Sequence, residues 1–304
     1  MKLSQLIKRL KKNTLLILLF HGVIEKSNYQ IRNYNRKHLE KDYFFRIISE
    51  LKKRGNPLSM DQVIYHHQNQ VPYPENSFAI TFDDGFENNY SIAAPILVDL
   101  KIPATFYLTT NFVDNNIMSW IDRIEYCLEK VDSGVLKFDW SKKQWPLNSS
   151  KEKINALKEI RKQVKQNSDI EVNEFVTDIY KQLKMPEVFS SNEPIDKKMN
   201  WQQVKELLSN NLFTIGGHTH DHAVLSFLNQ NKLKEEIENC LRLIKEKAGV
   251  ATIHYSYPEG QTRHYNQKVI DTLKEGGIKC CPTAIDGVNK LNDDLFHLKR
   301  VKVK

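Results

Sequence analysis

Residues 78–85 read FAITFDDG, and the change of character inside that stretch decides the fold. Phe78–Phe82 is short, apolar and β-branched, the pattern of a buried strand. Asp83 and Asp84 close it, and Gly85 permits the sharp turn that frees both carboxylates. Downstream, Ile92, Ile96, Leu97 and Leu100 recur at helical spacing, and Ala104–Leu108 returns to a strand pattern. Strand, helix and strand in that order predict a parallel βαβ unit.

Working outward, Leu15–Phe20 reads as another buried strand, and Phe44, Ile47, Ile48 and Leu51 as a helix stopped by Lys52, Lys53, Arg54 and Gly55. Toward the C-terminus the alternation continues: Trp201–Ser209 helix, Leu212–Ile215 strand, Leu233–Lys247 helix, Thr252–Tyr257 strand, Val269–Leu273 helix, Ile278–Ala284 strand, with Leu298–Val303 closing the set. About seven such units predict an α/β chain folded as one distorted (β/α)7–8 barrel across residues 1–304. Between 114 and 200 the strand signals fade. Ile121, Ile124 and Leu128, then Phe175, Val176, Ile179 and Leu183, predict two or three helices inserted into the barrel, with Trp120 as a wall or lid over a substrate or as simple packing.

Composition narrows the partners. The 45 basic and 37 acidic residues leave a net charge of +8, but no basic motif is interleaved with aromatics, so nucleic acid is not expected. The excess fits solvation and weak attraction to an anionic substrate or membrane surface. The apolar run Leu15–Phe20 is too short for a membrane span or a signal-peptide core, so the expected location is the cytoplasm, with peripheral contact at the inner membrane surface allowed. Cys127, Cys240, Cys280 and Cys281 form no CxxC pair, which fits a reducing compartment. Nothing in the sequence sets the oligomeric state.

The chemistry collects at strand ends. His218 and His222 stand four apart after the strand Leu212–Ile215 and meet on one face if a helical turn begins there, a spacing that suits one metal ion. Alone, Asp83 and Asp84 read equally well as a turn and helix cap. Beside two imidazoles they complete a hydrolytic site. Asp84 as third ligand leaves Asp83 to take a proton from the attacking water, and zinc suits these donors best. His21, before Gly22, and Pro258–Gly260 also follow strands. His220, His66, His67, His254 and His264 are read as packed or surface residues.

TFDDG at 81–85, HTHDH at 218–222 and YPEG at 257–260 resemble, in that order, the polysaccharide deacetylase family, also called carbohydrate esterase family 4 or the NodB homology domain. The resemblance implies that Asp83 is the catalytic base, that Asp84, His218 and His222 bind a divalent metal, usually zinc, and that Tyr257, Pro258 and Glu259 border the substrate. Common members carry an Arg before the Pro of the third motif to steady the base; Ser256 and Tyr257 stand there in this chain. They also place an acid His late, where LFHLKR offers His297 as a poor match. LLFHG resembles the amino-terminal segment of the rearranged members that deacetylate poly-N-acetylglucosamine, and this assigns the acid to His21.

The expected function is therefore metal-dependent removal of an N-acetyl group from an N-acetylated sugar, nucleotide-linked, lipid-linked or polymeric, in O-antigen or capsule biosynthesis. Two other readings stay open at this point: an O-acetyl esterase or small-amide hydrolase using the same site, and a sugar-binding barrel without catalysis.

Overall fold

The computed structural model describes residues 3–304, and the chain forms two compact units. The first comprises the chain up to Lys26, residues 37–116 and residues 198–304; the second comprises residues 27–36 and 117–197.

The first unit is built on a parallel sheet, in the order Arg300–Lys302, Leu15–Phe20, Ser77–Phe82, Ala104–Leu108, Phe213–Gly217, with the two-residue strand Asn56–Pro57 also paired to Ser77–Phe82. Beyond Gly217 the ladder continues as isolated bridges, Gly217 to Tyr255 and His254 to Cys280. The Cys281 and Thr283 amides then bond the carbonyls of Leu295 and Leu298, and the Arg300 amide bonds that of Ile285, which returns the chain to the first strand. The result is the α/β fold with a parallel sheet, closed as a distorted barrel.

The distortion corrects two expected strands, 252–257 and 278–284, which shrink to these bridges. Threonine hydroxyls bond alongside the backbone there. Thr252 Oγ1 donates to the Ile215 carbonyl at 2.7 Å and accepts from the His254 amide, and Thr283 Oγ1 does the same between Leu298 and Ile285.

Strand alternation sorts the side chains. Phe78, Ile80 and Phe82 join Phe20, Phe106 and the helix residues Phe44, Ile47, Ile48 and Leu51 in one apolar core. Those four helix residues are the buried stripe of Lys41–Arg54, whose last turn carries the basic residues expected to end it. The opposite phase, Ala79, Thr81 and Asp83, faces the barrel interior. That phase determines where Asp83 points.

The second unit has its own core, formed by Ile124, Cys127 and Leu128 of helix Trp120–Lys130, Leu157 and Ile160 of Ser150–Val164, and Val176 and Ile179 of Val172–Gln182. It also contains an antiparallel hairpin, Val135–Phe138 with Ser141–Pro146, which helical spacing alone did not announce. Segment 27–36 is fastened to this unit by Glu129, whose carboxylate accepts from the amides of Gln30, Ile31 and Arg32 at 3.1, 2.7 and 3.0 Å. Among the described residues, no helix is long and apolar enough to cross a membrane.

Candidate active site

Register aligns the strand ends. Phe20 pairs with Phe82, Phe82 with Phe106, and Leu108 with Gly217, so His21, Asp83 and His218 each lie one residue past an end on the same rim. The Asp83 amide donates to the Phe20 carbonyl at 3.0 Å, and the His218 amide to that of Leu108 at 2.8 Å. Asp84 and Gly85 then turn through the left-handed region, φ 75° and 79°, which separates the directions of the two neighbouring carboxylates. A side chain at Gly85 would also meet Val113 Cγ2 at 3.0 Å.

The loop carrying the histidines is not the helical turn expected from their spacing. Thr219 and His222 have φ of 67° and 60°, and two left-handed residues, not an i, i+4 helix face, bring the rings together. Their centroids are 5.0 Å apart. A β-branched residue in that region costs of order 1–3 kcal/mol, and such strain persists where the surroundings over-determine it, most often at functional sites.

Asp84, His218 and His222 present ligand atoms within 4.8 Å of one another. Asp84 Oδ1 is 3.6 Å from His218 Nε2 and 3.4 Å from His222 Nε2. This oxygen is buried and has no hydrogen-bond partner, the condition of an atom awaiting a cation. His218 Nδ1 lies 2.8 Å from the Ser256 carbonyl and 2.7 Å from its hydroxyl, so this nitrogen carries the proton and Nε2 is left bare as a ligand. The residues fit a divalent ion with open positions.

Electrostatics agree. Burial pushes the Asp84 carboxyl up, but Lys37, His222 and His21 outweigh it and hold it well below the usual carboxylate range. Burial lowers His218, which is therefore neutral near pH 7, with Asp83 offsetting only part of the shift. Burial also opposes charge on His222, but the adjacent Asp84 carboxylate prevails and raises it above 6.5.

Asp83 is 3% exposed and is gripped by a residue that sequence reasoning missed. Arg300, fully buried, donates Nη1 to Asp83 Oδ1 and Nη2 to Oδ2, each at 2.8 Å. Its Nε donates to the Thr283 carbonyl at 2.7 Å, which fixes the plane of the fork. Ser256 Oγ adds a 3.2 Å bond to Oδ1. Ser256, where the family resemblance leads one to expect an Arg, touches both Asp83 and His218, while the guanidinium arrives from the closing strand. Oδ2 faces the ligand set, 4.0 Å from His218 Nε2.

His21 is half-buried beside these groups. Burial first, then the charge of Lys302, pushes it well below 6.5, with Asp84 acting in the opposite direction. His21 is therefore neutral at rest near pH 7.

Other expected residues sit elsewhere. Tyr257 is no substrate contact: it is 1% exposed, stacked on Tyr265 at 4.4 Å, and its hydroxyl donates to the Phe296 carbonyl. It belongs to the main apolar core. Pro258 is buried, and Glu259, with φ 59°, lies within electrostatic reach of His222. Trp120 packs against the core of the second unit. His297 is 48% exposed, 3.8 Å from Asp294. His220 bonds Thr110 Oγ1, His66 bonds the Val71 carbonyl, His67 bonds Tyr73, His254 bonds Asp61, and His264 accepts from the Gln261 amide.

Comparison with known proteins follows the same lines. The chain is similar in fold to IcaB from Ammonifex degensii, with TM-score 0.61 and 18% identity over 97% of this chain and 93% of that one. It is similar also to the Streptococcus pyogenes deacetylase PplD, solved in complex with acetate, with TM-score 0.60 and 15% identity over 96% and 93%. A de-N-acetylase from Aggregatibacter actinomycetemcomitans gives 0.59 and 17% over 95% and 94%. No curated protein sequence matches. The polysaccharide deacetylase family model matches residues 70–172 and 168–281, most of the chain, and takes in Asp83, Asp84, His218 and His222 while leaving His21 and Arg300 outside. With that match and this fold, the chain belongs to the polysaccharide deacetylase family, the hydrolases of carbohydrate esterase family 4.

Proposed function

We propose that the protein removes the acetyl group from an N-acetylated sugar of a surface polysaccharide or its cytoplasmic precursor, of the O-antigen or capsule class, with zinc as its metal. The observation that carries this reading is the setting of Asp83: both oxygens are forked by Arg300, and Oδ2 is turned toward the ligand set at 4.0 Å from His218 Nε2. Bound zinc would supply Lewis acidity, polarising the acetamide carbonyl and acidifying water. Asp84, His218 and His222 would hold it. Asp83 Oδ2 takes the proton of the attacking water, and Arg300 keeps that oxygen aimed as its charge changes. His21, from the neighbouring strand end, hands a proton to the departing nitrogen, without which an amide does not release its amine. Because His21 is neutral at rest, it takes that proton up from solvent before the amine leaves, and Asp83 returns the water's proton to solvent, so the cycle closes.

The test is acetate release by zinc-loaded protein across nucleotide-linked, lipid-linked and polymeric N-acetyl sugars, with O-acetyl sugars alongside. Release from N-acetyl substrates is expected, lost in His21→Ala on acetamides but retained on an activated aryl ester, whose leaving group needs no proton. His297→Ala should leave both reactions intact. Release from O-acetyl sugars alone would make the protein an esterase.

Metal uptake should also depend on pH in a defined direction. A ligand imidazole must be neutral, and His222 is raised above 6.5 by Asp84, so binding competes with a proton on it. Affinity should therefore fall as pH drops through the range above 6.5. Calorimetry in buffers of different ionisation enthalpy should show proton release on binding, and the affinity measured at several pH values should fall toward the acid side. Binding without proton release across that range would contradict the pairing of His222 with Asp84.

A further inference from the structure

Lys37 lies outside the residues matched by the family model and in none of the motifs, yet its Nζ is 3.1 Å from Asp84 Oδ2 and its side chain is only 12% exposed. The position is fixed from behind. The strand His38–Glu40 pairs with Gly22–Ile24, Gly22 opposite His38, and the buried His38 bonds Asn88 at 3.2 Å and meets Phe86 edge-on. The Lys37 ammonium lies over the same Phe86 ring, 4.6 Å from its centroid. Asp84 is thereby divided: Oδ2 faces an ammonium, and Oδ1, without a hydrogen-bond partner, faces the two imidazoles.

We propose that Lys37 is a positioning residue for the metal site, reserving Asp84 Oδ2 so that Oδ1 alone serves as ligand, and keeping a bound ion electrophilic at the expense of its affinity. This rests on the metal reading of Asp84, His218 and His222. A cation sharing one carboxylate with a metal ion repels that ion and draws charge from their common ligand. The ion is then held less tightly, and its capacity to polarise a carbonyl is greater. A lysine present only to fill space would act the other way, since its loss would loosen the loop and the ligands together.

The test uses the full chain with zinc as probe, affinity read by chelator competition and turnover by acetate release. Lys37→Met and Lys37→Gln should bind zinc about tenfold more tightly than the wild type while kcat falls about tenfold and KM changes little. Lys37→Arg should restore both values. Thermal unfolding identifies any variant that does not fold, and the three substitutions differ enough in size and polarity for one to remain informative. Zinc affinity unchanged or weakened in the folded neutral variants would overturn the proposal while leaving the metal site intact. A wild-type chain that takes up no zinc would overturn the metal reading and this proposal with it.

Discussion

Asp83→Asn is expected to keep its metal and lose roughly 10²–10⁴-fold in turnover, the usual effect of removing a general base, whereas Asp84→Asn should lose the metal first. The two residues are adjacent, but the left-handed turn at Asp84 gives them different partners. Asp83 is bound by Arg300 and Ser256, and neither is a metal ligand. Its replacement leaves the Asp84, His218 and His222 donors in place. Asp84 supplies the only anion among those donors, and its Oδ1 is their meeting point at 3.6 and 3.4 Å from the two imidazoles. A neutral amide there offers the ion a weaker oxygen. Elemental analysis after gel filtration, with acetate release on the same samples, checks both halves. Equal metal loss in the two variants would refute the division of labour.

The parts of the site legible in sequence are those written locally. Apolar runs followed by Asp83, His21 and His218 marked strand ends, because a buried strand must stop where polar groups meet water, and a barrel collects those ends on one rim. The spacing of His218 and His222 was legible too, although the turn that joins them is built from left-handed residues that a helical rule does not describe. Two groups left no local mark. Arg300 reaches Asp83 across 217 residues of chain, and Lys37 approaches Asp84 from a segment without a motif, so only the closed barrel places their charges. A weak signal for Arg300 did exist: it lies two residues after the buried Leu298, at an inward position of the closing strand, where an arginine is stable only opposite a carboxylate. The hairpin in the second unit was hidden for the opposite reason, since Lys142, Lys143 and Gln144 are exposed and give that strand no apolar alternation.

Arg300→Met should produce the other large effect, on stability and turnover together. The wild-type pair is fully buried and bidentate, so removing the guanidinium leaves the carboxylate inside the barrel with Ser256 but without its bidentate partner. Breaking a buried pair from one side typically costs about 3–5 kcal/mol. Without the fork the Asp83 oxygens are no longer held in one plane toward the attacking water. Turnover should therefore fall about as far as in Asp83→Asn, by roughly 10²–10⁴-fold, with the metal retained. Arg300→Lys should recover part of the stability but little of the rate, because a single ammonium cannot hold both oxygens in one plane. Coupling gives the sharpest check. In the double variant Asp83→Asn, Arg300→Met neither charge is left unpaired, so its loss of stability should be smaller than the sum of the two single losses by about 1 kcal/mol or more. Denaturant unfolding of the four proteins measures this, and acetate release per folded molecule measures the rate. Additive stability losses, or an Arg300→Met protein that is destabilised yet turns over normally once folded, would show that Arg300 closes the barrel without positioning the base.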